Sequence, residues 1–106
     1  MRSCILYLGH HPVLAQYMRQ RGVTRMRPQE VRRVLAPHVP LAGLEVDHII
    51  PKSIGGLHHP RNYALVPAAL NRAWANNWTD EKRATLGHTI VQDACAFARQ
   101  HAQEDT

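Results

Sequence analysis

The chain has 106 residues, of which 44% are hydrophobic, and this is enough for one globular domain with a modest core but not for two. No apolar stretch approaches the roughly 20 residues of a membrane-spanning helix, and the first residues lack the apolar core and cleavage site of a signal peptide. We therefore expect a cytoplasmic protein that does not enter a membrane. The formal net charge of +5 favours an anionic polymer, nucleic acid, as the partner.

Arginine carries most of the positive charge, with eleven arginines against two lysines. Its planar side chain offers several donors that match the oxygens of a phosphate. Six arginines fall within residues 19–33: Arg19, Arg21, Arg25, Arg27, Arg32 and Arg33. We predict that the last four contact nucleic acid, and a solvated basic face is the alternative.

Only two cysteines occur, Cys4 and Cys95, and neither belongs to a C-x-x-C pair. A structural zinc ribbon is therefore not encoded. Two buried free thiols are favoured over a disulfide.

The N-terminal part of the chain predicts two short helices. Residues 11–21 form the first, with Pro12 near its start and Gly22 as a stop signal. Residues 28–36 form the second, which ends before Pro37. A helix pair with basic flanks also fits a sequence-reading helix-turn-helix, although the connection is long for that motif and a simple packing unit is favoured.

The central and C-terminal parts predict two strands, a helix and a long closing helix. Apolar and polar residues alternate at the start of 44–50, as in a strand, and 62–66 has the composition of a second strand. The later segments are a helix over 68–75 and a helix over 79–103 with a break at Gly87. This order predicts an α+β fold of a single domain, residues 1–106.

The central element is then a two-stranded antiparallel hairpin plus a helix, about residues 44–75, flanked by helices in 11–36 and 79–103. Two strands and one helix bury too little apolar surface to be stable alone. The flanking helices must therefore supply the rest of the core. Trp74 and Trp78 are four residues apart and would share one helical face if the helix extended that far. We predict that they anchor this core rather than stack on bases.

An acid and a histidine stand side by side at Asp47 and His48, and the return strand and helix can bring Asn71 back to them. Carboxylate and amide oxygens are hard ligands that suit magnesium or manganese. A neutral imidazole beside such an ion can take a proton from water near pH 7. These are the groups needed to hydrolyse a phosphodiester. Taken alone, an Asp-His pair is often exposed at the surface without a functional role, and an asparagine is often a helix cap.

The joint pattern is more specific. Residues 45–56 read E-V-D-H-I-I-P-K-S-I-G-G, residues 62–66 read N-Y-A-L-V and residues 70–72 read L-N-R. Over residues 45–72, about a quarter of the chain, the sequence resembles the motif of HNH endonucleases. The resemblance implies the ββα-metal fold, in which two strands and a helix surround one divalent ion.

The resemblance also implies a role for each motif residue. His48 would be the general base, and Asp47 and Asn71 would hold the metal. Asn62 would be structural, with its amide hydrogen-bonded to backbone across the loop so that His48 stays in register. The chain would thus be an H-N-N variant without the cysteine pairs of many members, and Mg²⁺ or Mn²⁺ would be favoured over Zn²⁺ or Ni²⁺.

Basic and aromatic residues near the motif complete the prediction. Lys52 and Arg72, and with less support Arg61, are expected to contact phosphates beside the cut. His58 and His59 lie in the loop, where we expect solvent-exposed side chains, with a metal or phosphate contact as the alternative.

The expected function is metal-dependent endonuclease activity on double-stranded DNA. One alternative keeps the fold without catalysis, as a nucleic-acid-binding module with an inactive site. Another is a toxin nuclease that is paired with an immunity protein.

Overall fold

A three-stranded sheet lies in the middle of the molecule. The computed structural model describes residues 5–104, and within them the strands are antiparallel in the spatial order β1-β3-β2: β1 Leu6–Tyr7, β2 Leu44–His48 and β3 Tyr63–Pro67. Five helices flank the sheet in this part of the chain: α1 Pro12–Arg21, α2 Pro28–Leu35, α3 Ala68–Trp74, α4 Asp80–Leu86 and α5 His88–Glu104. The fold is therefore α+β, as the sequence predicted.

The central strand, β3, is buried on both faces, because successive side chains of a strand point to opposite sides. Tyr63 and Leu65 pack with α1 and α2, whereas Ala64 and Val66 pack with the C-terminal helices. All four side chains are fully buried. The molecule thus has three layers, and the flanking helices supply the core on both sides of the sheet.

Pro, Gly and Thr residues set the helix ends close to their predicted positions. The ring of His11 accepts the N–H of Val13, and Pro12 is the first residue of α1. Gly22 ends α1 in the left-handed conformation with φ 64°. The Thr79 hydroxyl accepts the N–H of Lys82 and so caps α4.

One element of the sheet differs from the sequence prediction. The sheet has a third strand, β1, in which Leu6 pairs with Leu65 and Tyr7 with Ala64. Two residues are too few to show strand alternation, and the partner strand is distant in sequence. The predicted break at Gly87 is confirmed: Gly87 has φ 99° and divides the closing segment into α4 and α5.

The helix does not extend far enough for Trp74 and Trp78 to share a helical face, because α3 ends at Trp74 and Ala75 has φ 47°. Both nevertheless pack in the core beneath the sheet. Cys4 lies outside residues 5–104, and Cys95 is a free thiol that is half-buried rather than buried. No helix in this range is long and apolar enough to cross a membrane.

Candidate active site

Asp47, His48 and Asn71 line one cleft at the end of β2. The cleft has a volume of about 360 Å³, and Pro51, Lys52 and Asn76 also border it. Neighbouring strand residues usually face opposite sides, but β2 ends at His48 and the cleft lies at this end, so that both side chains border it. The three residues predicted for water activation and metal binding are therefore brought together.

A hydrogen bond orients the amide of Asn71. Its Nδ2 donates to Glu45 Oε1 at 2.8 Å. A carboxylate can only accept in such a contact, so the nitrogen must face Glu45 and Asn71 Oδ1 must point away from it. The orientation leaves an oxygen, and not a donor, as the free group of this side chain.

The ligands available at the cleft fit a hard cation. Within residues 5–104, no group of three or more His, Cys, Asp or Glu side chains is placed to hold a metal ion. One carboxylate and one amide oxygen, from Asp47 and Asn71, do not make a closed zinc site. They do fit a magnesium-type ion, which keeps several of its waters.

A buried lysine that the sequence analysis missed stands behind the cleft. Lys82, from α4, is fully buried, and its Nζ donates to the carbonyl oxygen of His48 at 2.7 Å. The same Nζ lies 3.1 Å from Asp47 Oδ2, as an ion pair without hydrogen-bond geometry. The rings of Trp74 and Trp78 lie 5.6 and 5.7 Å from Nζ, within cation–π range.

Charged residues normally lie at the surface, and for this reason the sequence did not predict a buried Lys82. A usable signal was present. Lys82 and Leu86 are four residues apart on α4, so they share a helix face, and the Leu86 face had to be apolar and buried. A lysine on that face implies a buried anion as its partner.

The buried pair sets the electrostatics of Asp47. Burial raises the pKa of the Asp47 carboxyl, and the Lys82 ammonium opposes this rise. Asp47 itself is only 3% exposed. Without the ammonium, an ionised carboxylate at this depth would be strongly disfavoured.

His48 is neutral at pH 7. Burial, followed by the nearby groups of His58, Lys52 and Lys82, lowers the pKa of His48 to about 4. Its ring lies edge-on to that of Tyr63, with centroids 5.0 Å apart. A neutral imidazole is the form that can accept a proton.

Asn62 braces the chain just beyond His48. Its Oδ1 accepts the N–H of Ile50 at 2.9 Å, and its Nδ2 donates to the carbonyls of Ile50 at 3.1 Å and Leu57 at 3.2 Å. The side chain is 2% exposed. One amide therefore joins the segment after β2, the loop and the start of β3.

The glycine pair of the motif has a steric reason. A Cβ on Gly56 would lie 1.8 Å from the carbonyl oxygen of Ile50, and Gly55 has φ 100°. Position 56 has no room for a side chain, and position 55 has a backbone conformation that residues other than glycine rarely adopt. The loop can therefore pass this close to the backbone of Ile50 only with glycine at position 56, and the turn at position 55 favours glycine for its positive φ.

The expectation of solvent-exposed side chains at His58 and His59 was wrong, because both are half-buried. His58 Nδ1 lies 3.1 Å from His48 Nε2. His59 Nδ1 accepts the N–H of Arg61 at 3.0 Å, and its ring lies 4.4 Å from that of Phe97. Burial, together with His101 and Arg61, lowers the pKa of His59 to about 4.

Arg61 is held by α5 and does not face the cleft. Its Nε and one terminal nitrogen each donate to Asp93 at 2.9 Å. The guanidinium also lies 4.9 Å from the centroid of Phe97. The Tyr7 hydroxyl hydrogen-bonds to the same carboxylate. This network ties α5 to the loop and to β1.

Arg25 and Arg27 lie beside the site on the connection between α1 and α2. They are exposed and flank Met26, which is 1% exposed. The N–H of Met26 donates to the carbonyl of His58 at 2.9 Å, and its carbonyl accepts the Tyr63 hydroxyl at 2.6 Å. Neither arginine forms an ion pair with another residue of the described chain.

Three other predicted contact residues are engaged within the scaffold. Arg32 donates to the carbonyl of Leu44 at 2.7 Å, and Arg72 lies 3.7 Å from Glu45. Both line a depression of about 580 Å³ that shares Val46 and Asn71 with the cleft.

Arg33 belongs to a different part of the surface. It donates to the Tyr17 hydroxyl at 3.1 Å and lies 3.8 Å from Glu30. It lines neither the cleft nor this depression.

No protein-family model, curated protein or solved structure matches the chain. The functional inference therefore rests on the sequence motif and on the geometry of the cleft.

Proposed function

We propose that this protein is a metal-dependent endonuclease of the HNH type that hydrolyses phosphodiester bonds of DNA, with β2, β3 and α3 as its ββα-metal core. The observation that carries the proposal is the shared cleft of Asp47, His48 and Asn71. The hydrogen bonds of the Asn62 amide to the chain beyond His48 support it further.

His48 acts as the general base in this proposal. Its neutral ring takes a proton from water, and the oxygen keeps the electron pair and attacks phosphorus. The bond between phosphorus and the sugar oxygen breaks, and the leaving oxygen takes a proton from solvent. The pKa of about 4 keeps His48 in the reactive form at neutral pH.

Asp47 and Asn71 are the residues that would hold the metal, and the ion would neutralise the charge that develops on the scissile phosphate. Mg²⁺ or Mn²⁺ suits their oxygen donors better than Zn²⁺ or Ni²⁺. Lys82 occupies one side of the Asp47 carboxylate. Because an ammonium repels a nearby cation, we expect weak ion binding until DNA adds its phosphate.

Basic groups on both sides of the cleft suit a double-stranded substrate. Arg25 and Arg27 lie on the side of His58, and Lys52 borders the cleft. Arg32 and Arg72 lie on the side of Asn71. Contacts of this kind are made to phosphates and carry little sequence information, so we expect weak sequence preference.

Plasmid cleavage tests the proposal. The protein is incubated with supercoiled plasmid and Mg²⁺, Mn²⁺, Ni²⁺ or Zn²⁺, with a chelator control. His48→Ala should lose about 100- to 10,000-fold in rate, as expected for loss of a general base. His38→Ala is the matched control, because His38 is exposed and outside the cleft, and it should cleave like the wild type.

Two results would contradict the assignment. Cleavage that survives chelation would exclude the metal, and cleavage by His48→Ala at the wild-type rate would exclude the base. Binding of DNA without cleavage under any of the four metals would favour the inactive binding module.

A further inference from the structure

A cavity of about 200 Å³ lies between α5, the loop after β2 and the connection between α1 and α2. Thr24 and Arg25 line it from the connection, Leu57 from the loop and Phe97 from α5. Sites for drug-sized ligands measure about 300–1,000 Å³, and one water takes about 30 Å³. The cavity therefore has room for one small ring system and not for a larger ligand.

Three planar rings form one wall of the cavity. The centroid of the Phe97 ring lies 4.4 Å from that of His59 and 4.0 Å from that of His101, and all three residues line the cavity. Phe97 is 7% exposed, whereas both imidazoles are half-buried and offer more accessible ring surface. Unpaired nucleobases stack on rings of this kind in proteins that bind single strands.

The wall is ordered before any ligand binds. His59 Nδ1 accepts the N–H of Arg61 at 3.0 Å, and His101 Nδ1 lies 3.2 Å from the carbonyl oxygen of Phe97. The Arg61 guanidinium also packs on the ring of Phe97. Because the rings are already held in place, a planar ligand would enter a preformed site at little cost in conformational entropy.

Positive charge lies beside the cavity. Arg25 is exposed and lines both the cavity and an adjoining depression of about 300 Å³, to which Arg27 also contributes. Glu30 is the acid of this depression, and it accepts the Tyr17 hydroxyl at 2.6 Å. A small aromatic-lined cavity beside two arginines matches a nucleotide, with the base inside and the phosphate on the arginines.

The cavity is next to the proposed general base. His58 lines it, and His58 Nδ1 lies 3.1 Å from His48 Nε2. One imidazole thus separates the cavity from the group that activates water. A nucleotide held here would belong to the same stretch of strand as the phosphate in the cleft.

We propose that the cavity binds one nucleobase of the DNA substrate, turned out of the duplex close to the phosphate that is cut. The inference rests on the proposed function and narrows its substrate to DNA in which a base is unpaired or easily unpaired. Turning a base out of a duplex costs stacking and pairing energy, and this cost is smallest for mismatched or already unpaired bases. Such sites should therefore be cut in preference to fully paired DNA.

A binding measurement tests the cavity without catalysis. With a chelator present, fluorescence anisotropy compares an octamer of thymidine with an octamer of abasic nucleotides, which carries the same phosphates. We expect the thymidine octamer to bind about 5- to 150-fold more tightly, the range for one base stacked on an aromatic side chain. Equal affinities would overturn the proposal.

Two tryptophan variants locate the preference for thymidine. Thr24→Trp places an indole in the cavity, so the preference should be lost. Val23→Trp is the matched control, because Val23 is 41% exposed and does not line the cavity, and it should bind like the wild type. A full preference in Thr24→Trp, or the same loss in both variants, would exclude the cavity as its cause.

Phe97 allows a direct observation, because it is the only phenylalanine of the chain. With labelled phenylalanine, nuclear Overhauser contacts between the ring protons and the thymine methyl groups should appear in the complex with the thymidine octamer. A complex without these contacts would show that the base binds elsewhere.

The cleavage assay tests the substrate class. A duplex with one unpaired thymidine should be cut about 10-fold faster than the fully paired duplex, and mainly beside the unpaired base. Thr24→Trp should lose this preference. Equal rates for the two duplexes with the wild type would contradict the substrate class.

The two proposals fail differently. A wild-type protein that cleaves no DNA contradicts the proposed function, while the binding and Overhauser measurements still decide whether the cavity takes a base. Cleavage without a base in the cavity leaves the proposed function intact and excludes only this site.

Discussion

Asp47 and Lys82 form a buried ion pair in which each residue makes the burial of the other tolerable. Lys82→Met would leave the carboxylate buried without its cation. Breaking such a pair from one side costs about 3–5 kcal/mol, so we expect a loss of stability in this range, measured by urea unfolding.

The double variant Asp47→Asn/Lys82→Met provides the control. Replacing both partners with neutral groups is often close to neutral for stability, so it should recover most of the loss. A double variant as unstable as Lys82→Met would show that the packing of the lysine, and not its charge, was responsible.

His59 gives the protein a dependence on pH. The pKa of His59 is lowered to about 4 in the folded protein, against about 6.5 in an unfolded chain. The unfolded state therefore binds more protons between these values, and stability falls as pH decreases from 6.5 to 4. His59→Asn can still accept the Arg61 N–H but cannot titrate.

We expect urea unfolding of His59→Asn to show a shallower loss of stability between pH 6.5 and 4. His48 has a similarly lowered pKa, so part of the slope should remain. A slope equal to that of the wild type would show that folding does not lower the pKa of His59.

At the scale of elements, the link between α5 and the loop is concentrated on Asp93. Asp93→Asn should lower the free energy of unfolding by about 1–3 kcal/mol, since it weakens charge-assisted hydrogen bonds from Arg61. Arg61→Met should have a similar effect, and the double variant should lose little more than either single change.

Asp80→Asn is the matched control, because Asp80 pairs with Arg83 at the surface with its side chain 99% exposed, and it should leave stability unchanged. DNA affinity supplies a second readout. A fall in affinity for Arg61→Met that exceeds the fall for Asp93→Asn would show that Arg61 contacts phosphate after all.

Local signals explain which elements the sequence predicted well. The ends of α1, α2 and α4 follow from Pro12, Pro28 and Thr79, which act on their own neighbours. The strand β1 has only two residues, and its pairing with β3 depends on the whole fold. Local patterns therefore located the helices and the hairpin but not this strand.

At the scale of the whole molecule, Arg25 and Arg27 lie exposed on the side of the cleft that carries His58. If Arg25 and Arg27 each neutralise one phosphate, removing both should reduce the salt dependence of duplex binding. The slope of log K against log salt should become less steep by about 2, at roughly 0.9 per contact. Fluorescence anisotropy at several salt concentrations measures this slope.

Arg19→Ala/Arg99→Ala is the control, because it removes the same charge from exposed positions that the proposal does not use. Its slope should stay close to that of the wild type. Equal changes in both double variants would indicate that net charge, and not a phosphate contact beside His58, governs binding.

The candidate site could be read from the sequence only in part. The motif gave Asp47, His48, Asn62 and Asn71, because their spacing is local. Lys82 was missed because it is a charge on an apolar helix face. The contact of His58 with His48 was missed because it needs the loop to fold back onto β2. Contacts that depend on tertiary structure leave only weak traces in a single sequence.

Because Lys82 lies on α4, outside the motif, the motif cannot be transferred to another protein by itself. Residues 44–75 contain Asp47 but not the cation that faces it. A graft of this segment into another chain would carry the motif residues but would leave the buried carboxylate of Asp47 without the Lys82 ammonium. The motif therefore functions only together with α4. In a related chain, the residue that faces the position of Asp47 would show whether the buried carboxylate is compensated.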